Sequence, residues 1–475
     1  MPMKIKRCFV LAGTSVWMAL AAGVACAQDK PVAFVGAKII PIASAGNAAP
    51  ELERGVIVVQ GGKIVSIAAL EKDATYKAPD GTTVIDCKGK TIMPGIVDTH
   101  SHVGGIGGAD GSGTIQPSVR ISDSLNPFDS GFRRVVAGGL TTINVMPGSG
   151  HLMGGQTIYM KMRMKDGKPA HRMEDLAIMD ESAGWNGVMG GMKMANGTNP
   201  MREPPFSGTR GKAAAMVREQ YIKAQEYAVK VKEYDDKLAK AKSDGKSEEE
   251  ISKIKPPARD IGYEAMDEVL SGKRIVHHHT HRADDIATVM RLSKEFGFRV
   301  VLHHVSEAWK IADEIAAAQK DGKVLGCSVI IVDSPGGKLE AAEMSMSTAA
   351  ILEKAGVRVA FHTDDWINDS RIFLRSAALG VRGGMTRAGA LRAMTLSGAE
   401  MLDLQKRVGS LEPGKDADLI VLSGDPLSVY THVEQTWVEG NKVFDRTDAD
   451  DLLHAVGGYG AGRDQEPYFC CFGNQ

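Results

Sequence analysis

The chain has 475 residues, with 57 lysines and arginines against 58 aspartates and glutamates, for a formal net charge of −1. Hydrophobic residues make up 43% and charged residues 24%, an ordinary balance for a globular protein with a large core. The length exceeds one ordinary domain, and the near-neutral charge gives no electrostatic reason to expect nucleic acid or an anionic membrane as partner.

Residues 1–27 stand apart. Lys4, Lys6 and Arg7 precede an apolar run over 9–25, and Ala25-Cys26-Ala27 offers a small-x-small cleavage site, the pattern of a secretory signal peptide. The run is short and broken by Gly13, Thr14 and Ser15, which argues against an uncleaved anchor. The expectation is export across the inner membrane into the periplasm, with no stable membrane association after cleavage. Cleavage removes Lys4, Lys6 and Arg7 and no acid, moving the formal charge from −1 to −4. Cys87, Cys327, Cys470 and Cys471 remain. Adjacent cysteines are hard to join to each other and no framework spacing is visible, so neither a disulfide scaffold nor a cysteine metal site is expected.

From 32 to 84, short apolar runs at 32–35, 37–40, 56–59 and 64–67 alternate with turns, and Gly61-Gly62 signals a hairpin between two of them,. The texture returns at 417–422, 436–438 and 443–444. Two β-rich flanks around an α/β region predict one small sheet module built from both chain ends, over 32–93 and 405–447.

Between the flanks, the segment 91–103 is the most informative. Ile92, Ile96 and Val97 are β-branched, Pro94-Gly95 punctuates the run, and His100 and His102 follow two apart. In an extended strand they share a face, with Asp98 on the same side, and two imidazoles converging from one strand end can hold a divalent metal. A surface histidine pair is the plainer alternative. The flanking residues decide against it: Pro94-Gly95-Ile96-Val97-Asp98-Thr99-His100-Ser101-His102 resembles the first-strand motif of the amidohydrolase superfamily at every specified position. The resemblance implies an α/β fold, a (β/α)8 TIM barrel over 94–404 flanked by a β-sandwich, and one or two divalent metals.

Further along, 135–139 and 141–146 read as helix then strand,. Gly154-Gly155-Gln156 is similar to a segment of imidazolonepropionase-like members. Residues 190–200 resemble the segment that carries a carboxylated lysine in imidazolonepropionase-like and dipeptidase-like members, which implies Lys193 as a bridge between two cations. Lys193 lies among apolar residues, where an unmodified ammonium is costly. A lysine reaching out from a loop is the alternative, and Asp180 and Glu181 are carboxylates nearby. Residues 213–240 are rich in Ala, Lys, Glu and Gln and lack Gly and Pro, predicting one long charged helix,. With a turn and a second helix start over 243–250, this reads as an exposed insertion at about 205–258, or as a lid or subunit contact.

In 272–286, alternation places His277, His279 and His281 on one face and His278 on the other,. The resemblance aligns the family's ligand with His279 and makes His281 and Arg282 candidates for substrate contact, leaving His277 and His278 as polar filler. In 298–307, Val300, Leu302 and His304 share a face; the resemblance selects His304, with His303 as the alternative. The strand over 357–365 ends in Asp364 and Asp365, and the resemblance selects Asp364. Residues 408–419 are close to a family hallmark that leads back into the sandwich and implies no catalytic role.

Together the resemblance implies that His100, His102 and Asp364 hold one cation and His279 with His304 the other, with Lys193 between. Zinc suits such ligands, with Mn or Fe as alternatives. Metal brings the pKa of bound water to around 7, so hydroxide attacks a carbonyl and Asp364 passes its proton to the leaving nitrogen. The expected protein is a metal-dependent amidohydrolase of a small-molecule amide, cyclic amide or dipeptide-like substrate. His151, Arg210, His281 and Arg282 are candidates to receive a substrate carboxylate. A lactonase or ester hydrolase on the same site and a non-catalytic barrel-fold binding protein are the alternatives; a homo-oligomer is left open.

Overall fold

The computed structural model describes residues 30–42, 50–104, 110–180, 187–332, 337–365 and 367–457. The expected export signal, Glu181, Cys470 and Cys471 lie outside the described residues.

Both ends of the chain enter one eight-stranded sheet. Its order runs from Asn441–Asp445 through Val433–Val438, Leu419–Leu422, Thr91–Pro94, Val32–Ile39 and Leu52–Gln60 to Lys63–Ala69, with Thr83–Asp86 beside Val32–Ile39. Leu419–Leu422 runs antiparallel to Thr91–Pro94, with Ile420 opposite Met93. The strand leading into the α/β region is thus clamped by the strand leading out of it. At the hairpin, Gln60 pairs with Lys63, and Gly61 (φ +58°) and Gly62 (φ +75°) adopt left-handed backbone, as a two-residue turn matched to strand twist requires. The module has its own core around Phe34, Ile57, Val59, Leu419 and Trp437, where the Phe34 and Trp437 rings meet edge to face at 5.0 Å.

The intervening region is mixed α/β with parallel strands. Met192–Ala195, Val276–Thr280, Val300–His304, Val324–Val329 and Val359–Phe361 lie side by side in parallel, with Met153–Gln156 antiparallel at one edge. A second arc pairs Ile96–Ser101 in parallel with Leu140–Val145, followed by antiparallel Ile158–Lys161. Helices Ala283–Phe296, Ala312–Lys320, Thr348–Lys354 and Leu374–Arg382 each follow one of the parallel strands, the crossover such pairing demands. Strands covered on both faces read as continuous apolar runs, and Val300, Val301 and Leu302 are all fully buried. The arcs meet at two seams. Asp364 N–H donates to His100 O at 3.0 Å, and Thr157 N–H to Gly191 O at 2.9 Å.

The charged segment forms a helix over Arg210–Ser243, longer than the expected 213–240. The Thr209 hydroxyl accepts the Lys212 N–H at 3.2 Å and starts the helix earlier,. A short helix, Glu248–Ser252, follows behind a Ser247/Glu250 capping box,. Only the first half of the long helix has a buried stripe, Ala213, Val217, Tyr221 and Ala224, recurring at helical spacing. Tyr221 stacks on Phe296 and Phe298, each at 5.0 Å. Replacing Tyr221 by leucine keeps apolar bulk but removes both stacked pairs, each worth about 0.5–1.5 kcal/mol. A loss of about 1–3 kcal/mol in urea unfolding is therefore expected, with faster amide exchange in this helix. Unchanged stability would mean the helix is anchored elsewhere.

Run 408–419 acquires a physical meaning here. Lys161 is completely buried beside Asp416, with Asp418 at 3.0 Å and Glu439 at 3.2 Å. Arg163 grips Glu439 through two bonds of 2.8 and 3.0 Å, and Arg407 reaches Asp416 at 3.2 Å. This ionic knot ties the α/β region to the two-ended sheet. Cys87 and Cys327 are buried and unpaired. No helix among the described residues is long and apolar enough to cross a membrane.

Candidate metal centre

The carboxyl ends of Ile96–Ser101, Val276–Thr280, Val300–His304 and Val359–Phe361 deliver their side chains to one place. Among the described residues, three groups have ligand atoms within 4.8 Å of one another: His100, His102 and Asp364; His100, His304 and His362; and His279, His281 and His304. Asp364 Oδ1 lies 3.0 Å from His102 Nε2 and 3.4 Å from His100 Nε2, and its Oδ2 lies 3.9 Å from His304 Nδ1. His304 belongs to two of the groups and joins them. His102 and Asp364 keep 14% and 20% side-chain exposure, so this corner opens to solvent.

Hydrogen bonds fix which ring nitrogens are available. His102 Nδ1 lies 2.8 Å from Met146 O; a carbonyl only accepts, so Nδ1 carries the hydrogen and Nε2 keeps its lone pair. The Lys193 ammonium donates to His100 Nε2 at 3.1 Å. His100 Nδ1–H must then donate to His303 Nδ1 (3.3 Å), His303 Nε2–H to His277 Nδ1 (3.0 Å), and His277 Nε2–H to the Tyr159 hydroxyl (2.9 Å). One buried chain therefore fixes the His100 tautomer, with the hydrogen on Nδ1 and the lone pair on Nε2, the nitrogen nearest His102 and Asp364; outer hydrogen bonding of this kind sets ligand tautomer. Burial pushes the His277 imidazole down to about 3 and that of His362 likewise to about 3, leaving these rings neutral.

This chain shows what His277 and His303 do. Instead of polar filler, His277 is a relay in the tautomer chain. Strict alternation would put His303 and His304 on opposite faces, yet both point inward. His304 (φ +69°) and Val305 (φ +47°) leave the strand in left-handed backbone, which a β-branched residue seldom adopts. The Val305 N–H to Thr280 O bond of 2.9 Å helps hold this conformation, and the twist turns His304 into the cluster while His303, a residue earlier, faces His100. His303 has both nitrogens engaged, whereas Nε2 of His304 is buried without a partner. Asp364 (φ +48°) is turned by the same device; Asp365 joins none of the three groups.

Lys193 is 1% exposed, its Nζ meeting His100 Nε2 and Met146 Sδ, both at 3.1 Å. Burial pulls its ammonium down to about 7. Asp98, also buried, accepts from the N–H groups of His100 (3.0 Å) and Thr363 (3.2 Å) and from the Thr363 hydroxyl (2.5 Å). Burial pushes its carboxyl up to about 7. Asp98 thus supports the strand ends behind the cluster. Burial also pushes the Asp364 carboxyl up, but the His102 imidazole beside it outweighs burial and holds Asp364 well below the usual carboxylate range.

Of the four residues expected to meet substrate, His281 lies in the cluster, its Nδ1 2.8 Å from Ser306 Oγ. Arg210 is held by Asp285 at 2.8 Å and reaches Glu340 at 3.4 Å. Arg282 pairs with Asp284 at 3.0 Å and is exposed. His151 is buried with its ring 5.3 Å from Phe206, outside the ligand groups. His278 faces the other way, into a cavity of about 660 Å³ between helices Arg210–Ser243 and Ala283–Phe296. Three participants went unread in the sequence. His362 is one residue beyond strand Val359–Phe361, 3.2 Å from His304 and 2.7 Å from Ser328 Oγ. Lys338 precedes, and Glu340 sits in, the single 3-10 turn Leu339–Ala341, which is too short to give a periodic signal. For His362, the adjacency to Thr363-Asp364 was the available clue.

The donor set fits divalent metal. Neutral imidazoles and an ionised carboxylate converge, and Nδ1 of His279 and Nε2 of His304 are buried ring nitrogens with no hydrogen-bond partner, a costly state unless something else binds them.

Comparison with known proteins agrees with this chemistry. The model of the amidohydrolase family matches residues 91–444. The structure of an amidohydrolase from Thermotoga maritima MSB8 is 31% identical, with a TM-score of 0.71, covering 87% of this chain and 100% of that one. Amidohydrolase tasK of Hapsidospora irregularis is 28% identical over 404 residues, 82% of this chain and 40% of that protein. The 5-methylthioadenosine/S-adenosylhomocysteine deaminase of Teredinibacter turnerae is 27% identical over 214 residues, 37% of this chain and 46% of that protein. The match thus spans less than half the length of these two curated relatives.

Proposed function

Because this chain belongs to the amidohydrolase family, we propose that it is a metal-dependent hydrolase of carbon–nitrogen bonds in a small-molecule amide. The observation that carries this reading is the convergence of His100, His102 and Asp364 with His279, His281 and His304, linked by the group His100, His304 and His362, which shares one histidine with each. The family resemblance makes the two strand arcs an eight-stranded (β/α)8 barrel over 94–404, and the seam hydrogen bonds support that closure. The sheet built from 32–93 and 405–447 is then the flanking sandwich, and 205–258 the helical insertion. Export to the periplasm follows from the signal at 1–27.

His100, His102 and Asp364 would hold one cation and His279 with His304 a second; zinc suits this mixture of imidazole and carboxylate. When bound, the metal supplies Lewis acidity and lowers the pKa of water. The chain's own residues do the rest. Asp364, ionised and at the open corner, takes the proton of the attacking water and returns it to the leaving nitrogen as the C–O bond forms and the C–N bond breaks. His102, fixed by Met146, and His100, fixed by the His303–His277–Tyr159 chain, keep their lone pairs on Nε2, the nitrogens nearest Asp364. Lys193, buried beside His100, would bridge the two halves if carbon dioxide converted it to a carbamate.

The purified chain is expected to carry one or two divalent ions, to lose hydrolysis of an amide panel on chelation and to regain it with zinc. Undiminished hydrolysis after the metal is gone, or a metal-loaded protein that cleaves lactones but no amides, would contradict the proposal.

A further inference from the structure

One cation at this site has no role in the chemistry described. Lys338 Nζ lies 2.9 Å from His281 Nε2, 3.2 Å from His279 Nε2 and 3.1 Å from Glu340 Oε1. Its side chain is 27% exposed while that of Glu340 is 2% exposed, so the ammonium stands on the solvent side of the pair. Glu340 is engaged from behind: its Oε2 accepts the Thr198 N–H at 2.8 Å and meets Arg210 at 3.4 Å. Arg210 is itself fixed by Asp285. The sequence Asp285, Arg210, Glu340, Lys338 therefore anchors a lysine at the mouth from the first turn of the long helix.

Glu340 offsets the charge of Lys338 across 3.1 Å, and a divalent cation in the cluster would add positive charge beyond that. Lys338 touches two imidazoles that form part of the candidate metal cluster, and a cation placed among them raises the positive charge within a few ångströms of the ammonium. A ligand anion resolves that repulsion, and a lysine ammonium, with three donors on a flexible stem, is suited to take one oxygen of it. His279 and His281 share a ligand group with His304, whose Nδ1 lies 3.9 Å from Asp364 Oδ2, so an anion on Lys338 and the proton carrier stand on two sides of one cluster.

We propose that Lys338 is a specificity-determining residue that receives a carboxylate of the substrate, so that the substrate class is amides bearing a free carboxylate beside the scissile bond, N-acyl amino acids or dipeptides. This rests on the hydrolase reading above. Arg210 is then a positioning residue, acting through Glu340 instead of touching substrate.

The test is kinetics of the metal-loaded full chain on N-acyl amino acids paired with their carboxamides. The wild type is expected to prefer the acids. Lys338→Met should lower kcat/KM for the acid by about 10- to 100-fold, the worth of a hydrogen bond to a charged group. The change should fall mainly in KM and should be much smaller for the carboxamide. Lys338→Arg should restore most of the loss. Equal loss on both substrates, or an unchanged preference for the acid, overturns the proposal. If the wild type turns over neither, the hydrolase reading fails by itself, and calorimetric titration with an N-acetyl amino acid decides the question for Lys338. Binding by wild type but not by Lys338→Met supports it; equal binding, or none, overturns it.

Discussion

Asp364→Asn is expected to lower kcat by about 10²- to 10⁴-fold, the range a positioned acid–base group contributes. Asparagine preserves the shape but cannot carry the proton from water to leaving nitrogen. It also puts a neutral amide where an anion sits 3.0 Å from His102 Nε2 and 3.4 Å from His100 Nε2. Since the Met146 carbonyl obliges His102 to present a lone pair there, the amide N–H₂ can turn toward it and compete with metal. Reduced metal content should accompany the loss, and saturating zinc should restore the metal without restoring turnover. Wild-type turnover in a fully metallated Asp364→Asn variant would assign the proton transfer to another group.

The largest expected effect on stability comes from a residue far from the chemistry. Lys161→Met leaves Asp416 and Asp418, both almost completely buried, without their central cation. Removing one partner of a buried ionic group costs about 3–5 kcal/mol because the remaining charge stays desolvated. Denaturant unfolding should show a loss of this size, while activity per folded molecule stays near wild type. A change below about 1 kcal/mol would mean that Arg163, Arg407 and Lys63 neutralise the carboxylates without it. The same knot sets an acid limit. Burial raises the Glu439 carboxyl, but Arg163 and Lys161 outweigh it and bring Glu439 to about 2. A depressed folded pKa stabilises fully above the unfolded value near 4.3. That contribution drains away as pH falls from there toward 2. Acid titration of Lys161→Met should show a smaller loss over that window than the wild type.

Much of this arrangement is legible in the chain because its signals are local. The β-branched run broken by Pro94-Gly95 and ended by His100 and His102 announces a strand with two histidines on one face. The long Gly- and Pro-free stretch announces the helix Arg210–Ser243, and the two β-rich flanks announce a sheet drawn from both ends. What escaped is non-local or depends on departures from regular backbone. Alternation assumes extended residues throughout, so it could not foresee that left-handed turns at His304 and Asp364 redirect side chains at strand ends. The roles of His277 and His303 appear only when neighbouring strands are in register, with His279 opposite His303 and Lys193 opposite His277. Lys338 and Glu340 lie at the start of and within one 3-10 turn, too short for any period to be read. Arg210 and Arg282 show the limit of residue type as a guide: both are arginines near the site in sequence, and both are already paired with carboxylates.

Everything proposed for this chain depends on His100, His102, His279, His304 and Asp364 forming a metal centre. Anomalous diffraction from crystals of the purified chain, recorded on both sides of the zinc absorption edge, tests it most directly. The expected result is a strong peak bounded by His100, His102 and Asp364, a second bounded by His279 and His304, and density for a carboxyl group on Lys193 between them. No peak among these residues after growth and purification in zinc, or a peak held elsewhere in the chain, would contradict it.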